Sequence, residues 1–419
     1  MEFSASPRAA ELTEAVGTFI DEHIAPVEED YHHRVSRLRA EGADPWQPLP
    51  ILGELRARAR AEGLWNLFLP VGHEGPYAER YGTRGGVGLS NVDYAPIAEV
   101  MGRSLMAPYV FNCNAPDTGN AEVLLKYGSE QQQRQWLDPL LAGDIRSAFC
   151  MTEPAVASSD ATNMELTAIL DGDEVVLNGR KWWSTGVGHP DCRILIVMGV
   201  SDPEADRYHR HSMVLVPRET PGVRVERMLD TMGWQDEPYG HGEVDFTDVR
   251  VPAENIVAGP GRAFEIAQGR LGPGRVHHCM RLIGLAEHAL ELACRRGLER
   301  TAFGKPLMNL GGNRERVADA RIAINAMRLL VLDAAWKLDE GGALNALSEV
   351  SQIKVAVPAM AQKVIDMAMQ LHGGGGLSSD FPLAGAWTAA RALRLADGPD
   401  EVHRGVVARL ELGKYGAAR

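Results

Sequence analysis

The segment Phe149-Cys150-Met151-Thr152-Glu153-Pro154 runs on into Ala155-Val156-Ala157-Ser158-Ser159-Asp160. Small and hydroxylated residues of this kind let a backbone come close to a flat or phosphorylated ligand and meet its polar edges. Taken alone, the segment reads equally well as an ordinary passage from a strand into a loop. Further along stand Lys181-Trp182-Trp183-Ser184-Thr185, Arg300-Thr301-Ala302-Phe303-Gly304-Lys305, Gln370-Leu371-His372-Gly373-Gly374-Gly375-Gly376 and Asp397-Gly398-Pro399-Asp400-Glu401. The histidine groups His32-His33, His209-Arg210-His211 and His277-His278 lack a second pair at structural-site spacing, so no metal is expected. The five cysteines (Cys113, Cys150, Cys192, Cys279 and Cys294) are widely spaced and never form a Cys-x-x-Cys pair. That pattern points to reduced thiols, not to a disulfide framework or a zinc site.

The elements that must position these residues follow from composition and period. The chain has 419 residues, 45% hydrophobic and 24% charged, with 43 Lys+Arg against 56 Asp+Glu, a formal net charge of −13. This is a globular composition with room for two or three domains, and its acidity argues against a general nucleic-acid binder. The N-terminus carries Glu2, Glu11 and Glu14 and has no basic segment followed by an apolar stretch, so no targeting signal is expected. No apolar run approaches the roughly 18 residues of a membrane span. The expectation is a soluble, cytoplasmic protein without membrane insertion.

From residue 8 to about 145 the pattern is helical, broken at Trp46-Gln47-Pro48-Leu49-Pro50 and at the glycine-rich stretch 82–88. The Arg8–Glu41 stretch, of mixed charge, reads as a solvated helical face. From about 148 to 258 the period shifts towards two. Thr167–Leu170 and Glu174–Leu177 flank a hairpin turn at Asp171-Gly172-Asp173, and Asn178-Gly179 reads as a second turn. Ile194–Val197, Met213–Val216, Val223–Val225 and Val244–Phe246 read as further strands. After Gly261 the helical period returns. Leu282, Leu285, Ala289 and Leu292 mark one helix. A second carries an apolar stripe through Val350, Ile353, Val357, Met360, Val364, Met367 and Leu371. Pro358 lies inside that helix and is expected to kink it. The layout is α, then β, then α, with boundaries at 1–147, 148–258 and 259–419.

On these motifs the chain resembles the acyl-CoA dehydrogenases. Residues 149–160 with 181–185 look like the family's flavin-binding signature. Arg300–Lys305 resembles its Arg-x-x-Phe-Gly-Lys, and Gln370–Gly376 its Gln-x-x-Gly-Gly-x-Gly. Asp397–Glu401 fills the slot of its catalytic Glu-Gly-Thr-x-Gln. The resemblance covers essentially the whole chain. It implies an α+β fold with an N-terminal all-α domain, a middle β-barrel or sandwich domain and a C-terminal four-helix bundle. It implies FAD bound by Phe149, Met151, Thr152, Ser158, Trp183, Ser184, Arg300, Phe303, Gln370, Gly373, Gly374, Pro399 and Glu401. An acyl-CoA would be bound by Ser158, Arg275 and Gly398. Electrons would pass to an electron-transfer flavoprotein, and the family's sharing of flavin sites between subunits implies a homodimer or homotetramer.

Desaturating a thioester between its α and β carbons requires an α-proton removed and a β-hydride accepted. No side chain accepts a hydride, so a flavin must. The protein supplies a general base and hydrogen bonds to the thioester oxygen. The resemblance gives the base slot to Asp397, whose backbone N–H would bind that oxygen beside Gly398. Some relatives place the base immediately before the arginine matching Arg275, but Gly274 stands there. Leu393, Leu395 and Ala396 are expected to bury Asp397. An aspartate in place of glutamate is a departure that shortens the reach by one methylene. The branch containing members ten and eleven shares it, together with an Arg-Leu-Gly-Pro-Gly-Arg-x-His-His run matching Arg270–His278. Pro399 and Glu401 replace the commoner Thr and Gln, and Ala155 and Ala157 replace glycines. Cys150 reads as strand packing, not as a nucleophile. The alternatives are a nitroalkane oxidase or an acyl-CoA oxidase on the same fold, or a non-catalytic flavin or CoA scaffold.

Overall fold

A computed structural model describes residues 3–69 and 88–416, and of the glycine-rich break at 82–88 all but the last residue lies outside them. The described chain separates into two compact units. One contains residues 35–69, 88 and 111–274, and the other residues 3–34, 89–110 and 275–416.

The first unit is built on one seven-stranded sheet. Its strands are β1 (Arg146–Cys150), β2 (Thr167–Asp171), β3 (Glu174–Thr185), β4 (Cys192–Val200), β5 (His211–Pro217), β6 (Val223–Leu229) and β7 (His241–Pro252). They lie in the order β1-β4-β2-β3-β7-β6, with β5 also paired to β4. β1 runs parallel to β4, whereas β3 pairs antiparallel with both β2 and β7. β1 and β7 stand towards opposite ends of this order. Ala148 and Cys150 of β1 nonetheless share one buried cluster with Val244 and Phe246 of β7, so the sheet curls around its core. This is the expected barrel-like middle domain. Ile194 to Met198 of β4 are all buried, as a strand covered on both faces must be.

The β2–β3 hairpin forms as expected. Asp171 pairs with Glu174, and Gly172 supplies the left-handed turn residue at φ +68°. Asn178-Gly179 is not a turn, which corrects the sequence reading. β3 runs through it, and its register against β7 shifts between Leu177 and Gly179. Gly179 has φ +139°, and a Cβ there would lie 3.0 Å from Leu166, so the dipeptide serves a β-bulge.

The second unit is helical. Leu347–His372 packs against Asn313–Asn345, Leu383–Ala392 and Asp400–Gly413. Its stripe Val350, Ile353, Val357, Met360, Val364 and Leu371 is buried. The helix passes through buried Pro358 as a single element. The break in this region falls instead at Gly342, inside Asn313–Asn345, where φ is +69° and ψ −172°.

The long helix Ala263–Glu299 enters this unit at residue 275 and is held against Asn91–Met101 by two glycine contacts. A Cβ on Gly284 would lie 1.7 Å from the Glu99 carbonyl oxygen, and one on Gly102 1.9 Å from the Arg281 carbonyl oxygen. Only glycine permits that approach. Arg328 ties the same region together by donating to Glu99 and to Glu287. His277 is buried here with its ring 4.9 Å from that of Tyr94, and burial pushes its imidazole down to about 3.

Two outcomes are expected. Gly284→Ala gains about 1 kcal/mol of helix propensity, but forced separation of two helices outweighs it. The net loss should be about 1–3 kcal/mol, read as a lower thermal midpoint. Unfolded His277 takes up a proton near 6.5 while the folded ring resists until about 3. Its contribution is therefore complete above pH 6.5 and is lost as the pH falls. Between pH 6.5 and 5 the loss is about 2 kcal/mol. His277→Phe keeps the ring contact and should flatten the acid side of a denaturant-melt pH series by that amount.

Candidate active site

In the sheet unit, β1 delivers Phe149 and then leaves the sheet through Met151 and Thr152. The Trp182 N–H donates to the Thr152 carbonyl at 3.0 Å, and the Thr152 hydroxyl donates to the Trp182 carbonyl at 2.7 Å. Beneath this exchange lies Lys181, which is fully buried. Its ammonium donates to the Glu153 carboxylate at 2.7 Å and to the Met151 carbonyl at 2.8 Å. Glu153 also accepts the backbone N–H groups of Glu165 and Leu166, at 2.8 and 2.9 Å. Burial lowers the Lys181 ammonium from its ordinary value and Glu153 opposes the shift. A buried charge pair is tolerable when its remaining hydrogen-bonding capacity is met, as it is here. The pair pins the 151–166 loop to β3.

The Ser158 hydroxyl accepts the Glu153 N–H at 2.9 Å, so it is already engaged inside its own loop. Trp183 sits at a second register shift of β3, with φ +50°. A bulky residue in that conformation is strained, which marks a site where the backbone serves a purpose beyond the ladder. Its ring is 40% exposed and tilts against His241 at 5.5 Å. Ser184 turns inward, fully buried near the Cys150 thiol, and its hydroxyl makes no hydrogen bond of ordinary geometry. Burial pushes that thiol up to about 11, which suits packing and not nucleophilic chemistry. The guanidinium of Arg270 lies 3.9 Å over the Phe149 ring and donates to Asn120 at 3.1 Å.

In the helical unit, Asp397 and Gly398 occupy a stapled turn. The Asp400 N–H donates to the Arg394 carbonyl at 3.2 Å, and the Arg394 guanidinium closes back on the Asp400 carboxylate at 2.7 and 2.9 Å. Buried Lys354 donates to the Leu393 carbonyl. The Asp397 carbonyl accepts from Arg275 Nε at 2.9 Å and from His403 Nε2 at 3.2 Å. Asp397 and Gly398 both have positive φ, +56° and +104°. A Cβ on residue 398 would lie 2.9 Å from His403 Nε2, so glycine is required there. Burial, with Arg275 adding to it, holds His403 neutral at about 4.

The Asp397 side chain is 20% exposed, and one carboxylate oxygen lies 3.5 Å from His278 Nε2. The expected source of its shelter needs correcting. Leu395 is 59% exposed and Ala396 is exposed too. The carboxylate faces His278 of the helix Ala263–Glu299 instead. At Gly274 a Cβ would meet nothing within 4 Å, so the alternative base position carries no reactive group.

The remaining predicted residues lie on exposed ends. Thr301-Ala302 pairs with Lys305-Pro306 around Phe303 and Gly304, at φ +51° and +73°. This tight turn leaves Phe303 94% exposed and Arg300 exposed beside it. Gln370, Gly373 and Gly374 share the exposed end of Leu347–His372, where Gly373 takes φ +62°. Pro399 caps Asp400–Gly413, and Glu401 is exposed in its first turn.

Sequence reasoning missed four contributors. His278 was weighed as a metal ligand and matched within the Arg270–His278 run, but given no role beside Asp397. Lys354 could have been noticed as a lysine interrupting an apolar stripe. His403 carried no local signal, and Arg270 was noted only as the start of the Arg270–His278 run, without a role. Among the described residues no group of three or more His, Cys, Asp or Glu could hold a metal ion.

A flavin asks for a flat wall, backbone donors and cations for its pyrophosphate. Trp183 with its neighbouring strand, the Gly373-Gly374 turn and Arg300 have those properties. Asp397, a carboxylate on an immobilised turn, can accept a proton.

Comparison with known proteins agrees. Family descriptions for the acyl-CoA dehydrogenase N-terminal, middle and C-terminal domains match residues 6–144, 148–249 and 261–412 in turn. Acyl-CoA dehydrogenase family member 10 of Mus musculus is 52% identical over 97% of this chain, which spans only 37% of that longer protein. A Mycobacterium tuberculosis protein named as a probable acyl-CoA dehydrogenase, FadE2, is 48% identical over 99% of this chain and 98% of its own length. A Mycobacterium abscessus protein solved as a candidate acyl-CoA dehydrogenase superposes with a TM-score of 0.93 at 67% identity, covering 99% of this chain and 100% of that one. The chain belongs to the acyl-CoA dehydrogenase family.

Proposed function

We propose that the chain is an FAD-dependent dehydrogenase that introduces an α,β double bond into an acyl-CoA, with Asp397 as the base. The observation that carries this is the Asp397 carboxylate held on a turn whose carbonyl is gripped by Arg275 and His403, while Gly274 leaves the other base slot without a reactive group. FAD, when bound, supplies the hydride acceptor that no side chain provides.

Asp397 removes the α-proton. Its backbone N–H is the donor for the thioester oxygen, on which charge develops as the proton leaves. Gly398 keeps the space beside that donor free of a side chain. Arg300, Phe303 and the 370–374 helix end serve the dinucleotide, and Phe149, Met151, Thr152 and Trp183, with the Ser184 backbone, serve the flavin ring. Glu401 and Pro399 lie nearby through backbone, not through the usual side chains. Ser158 acts through its loop backbone, since its hydroxyl is turned inward. Electrons leave to an electron-transfer flavoprotein, and the protein works in the cytoplasm. No helix among the described residues is long and apolar enough to cross a membrane.

Phe303, Leu344 and Leu377 are exposed by 94%, 88% and 74% on one chain. Exposed apolar groups of this size, two of them (Phe303 and Leu377) at or near the expected cofactor-binding residues in sequence, favour a homodimer or homotetramer in which a second copy covers them. Light scattering of the FAD-loaded protein at micromolar concentration should give two or four times 45.6 kDa. A mass of one chain with full flavin content overturns this.

Asp397→Asn nearly preserves shape and the backbone N–H. FAD and acyl-CoA should still bind, while the anaerobic rate of flavin reduction falls by about 10²–10⁴-fold. Reduction within a few-fold of the unmodified enzyme would assign the base elsewhere.

A further inference from the structure

Arg275, His278 and Arg281 are three residues apart on the helix Ala263–Glu299 and so share one face. Arg275 takes the Asp397 carbonyl at 2.9 Å, and His278 Nε2 faces the Asp397 carboxylate at 3.5 Å. Arg281 Nη2 meets His278 Nδ1 at 3.1 Å. A guanidinium can only donate, so Nδ1 must be the accepting nitrogen. The imidazole is then neutral, with its proton on Nε2, directed at Asp397.

We propose that His278, set in this tautomer by Arg281, is a positioning residue that holds the Asp397 carboxylate in place for α-proton abstraction. The inference deepens the functional reading above and rests on it. An aspartate is one methylene shorter than the commoner glutamate, so its carboxylate has less reach to spare. A misplacement of about 1 Å in such a group can cost about 10²-fold in rate. One helix face meets this need by facing Asp397 at two points, with a hydrogen bond to its carbonyl and an imidazole 3.5 Å from its carboxylate. The helix is itself fixed where Gly102 packs on the Arg281 carbonyl.

Among the described residues, the titratable groups that face the pair come from three helices. On the same helix, His277 is buried and neutral, and burial pushes the Cys279 thiol up to about 12. Lys354 approaches from Leu347–His372, and neutral His403 from Asp400–Gly413. Asp400 is occupied by Arg394.

The test uses FAD-loaded protein and anaerobic rapid mixing with butyryl-, octanoyl- and palmitoyl-CoA, taking the fastest reducer. His278→Leu should lower the limiting rate of flavin reduction by about 10–100-fold, with acyl-CoA affinity within about 3-fold of the unmodified protein. His278→Gln places an N–H near the Nε2 position and should recover most of that loss. His278→Asn, whose amide stops short, should not. Arg281→Met releases Nδ1 to take a second proton, so a new ionisation should enter the pH profile of the limiting rate. That ionisation should vanish in the Arg281→Met/His278→Gln double variant.

Unchanged reduction in His278→Leu overturns the proposal. So does equal loss in the Gln and Asn variants, which would make the role structural. If His278→Leu fails to retain FAD, the Gln and Asn pair decides. Asp397→Asn separates the two readings. Should it also reduce normally, the base assignment falls. Should it be slow while His278→Leu is normal, only the role of His278 falls.

Discussion

The carbonyl oxygen of Asp397 accepts two hydrogen bonds, from Arg275 and His403, and much of the helical unit is arranged around that atom. A residue with positive φ followed by a glycine with positive φ is a strained and adaptable piece of backbone. Left free, it would sample several conformers, and its carboxylate would sweep a wide arc. Two donors from two helices, the Arg394–Asp400 closure and Lys354 on the Leu393 carbonyl remove that freedom. The turn is thus rigid because of what surrounds it, not because of its own residues. A loop that must present a reactive group needs this kind of external definition.

The sheet unit solves a related problem with a buried ion pair. Lys181 and Glu153 together satisfy one carbonyl and two backbone N–H groups of the loop that follows β1. In both units a long cationic side chain is taken out of water to anchor backbone carbonyls. Desolvation disfavours the charge in each case, and hydrogen-bond satisfaction offsets it. This explains why Lys181 and Lys354 tolerate burial at positions where an apolar residue would pack more easily.

The α–β–α arrangement was legible because the hydrophobic period changes abruptly at both ends of the sheet. The β2–β3 hairpin was legible because Gly172 is a local signal for a local turn. Asn178-Gly179 misled for the same reason, since a bulge and a turn both want a residue free to adopt positive φ. Pro358 lies inside one helical element, Leu347–His372, and the non-helical residue nearby is Gly342 of Asn313–Asn345, which carried no such signal. The motif residues of the candidate site were found because they are contiguous. The roles of His278, Lys354 and His403 were not, because each meets Asp397 or its turn only through tertiary packing, His278 and Lys354 from far away in sequence and His403 from six residues on, in the helix that follows the turn.

The burial of the thiols carries a consequence of its own. All five cysteines are free, and only Cys294 is even partly exposed. Thiolates, not thiols, react with peroxides and electrophiles. With Cys150 near 11 and Cys279 near 12, the thiolate fraction at neutral pH is about one in ten thousand or lower. The protein carries five thiols, most of them held away from solvent in their unreactive form. A thiol-directed label should find a single address on the folded chain, far along Ala263–Glu299 from the turn that holds Asp397.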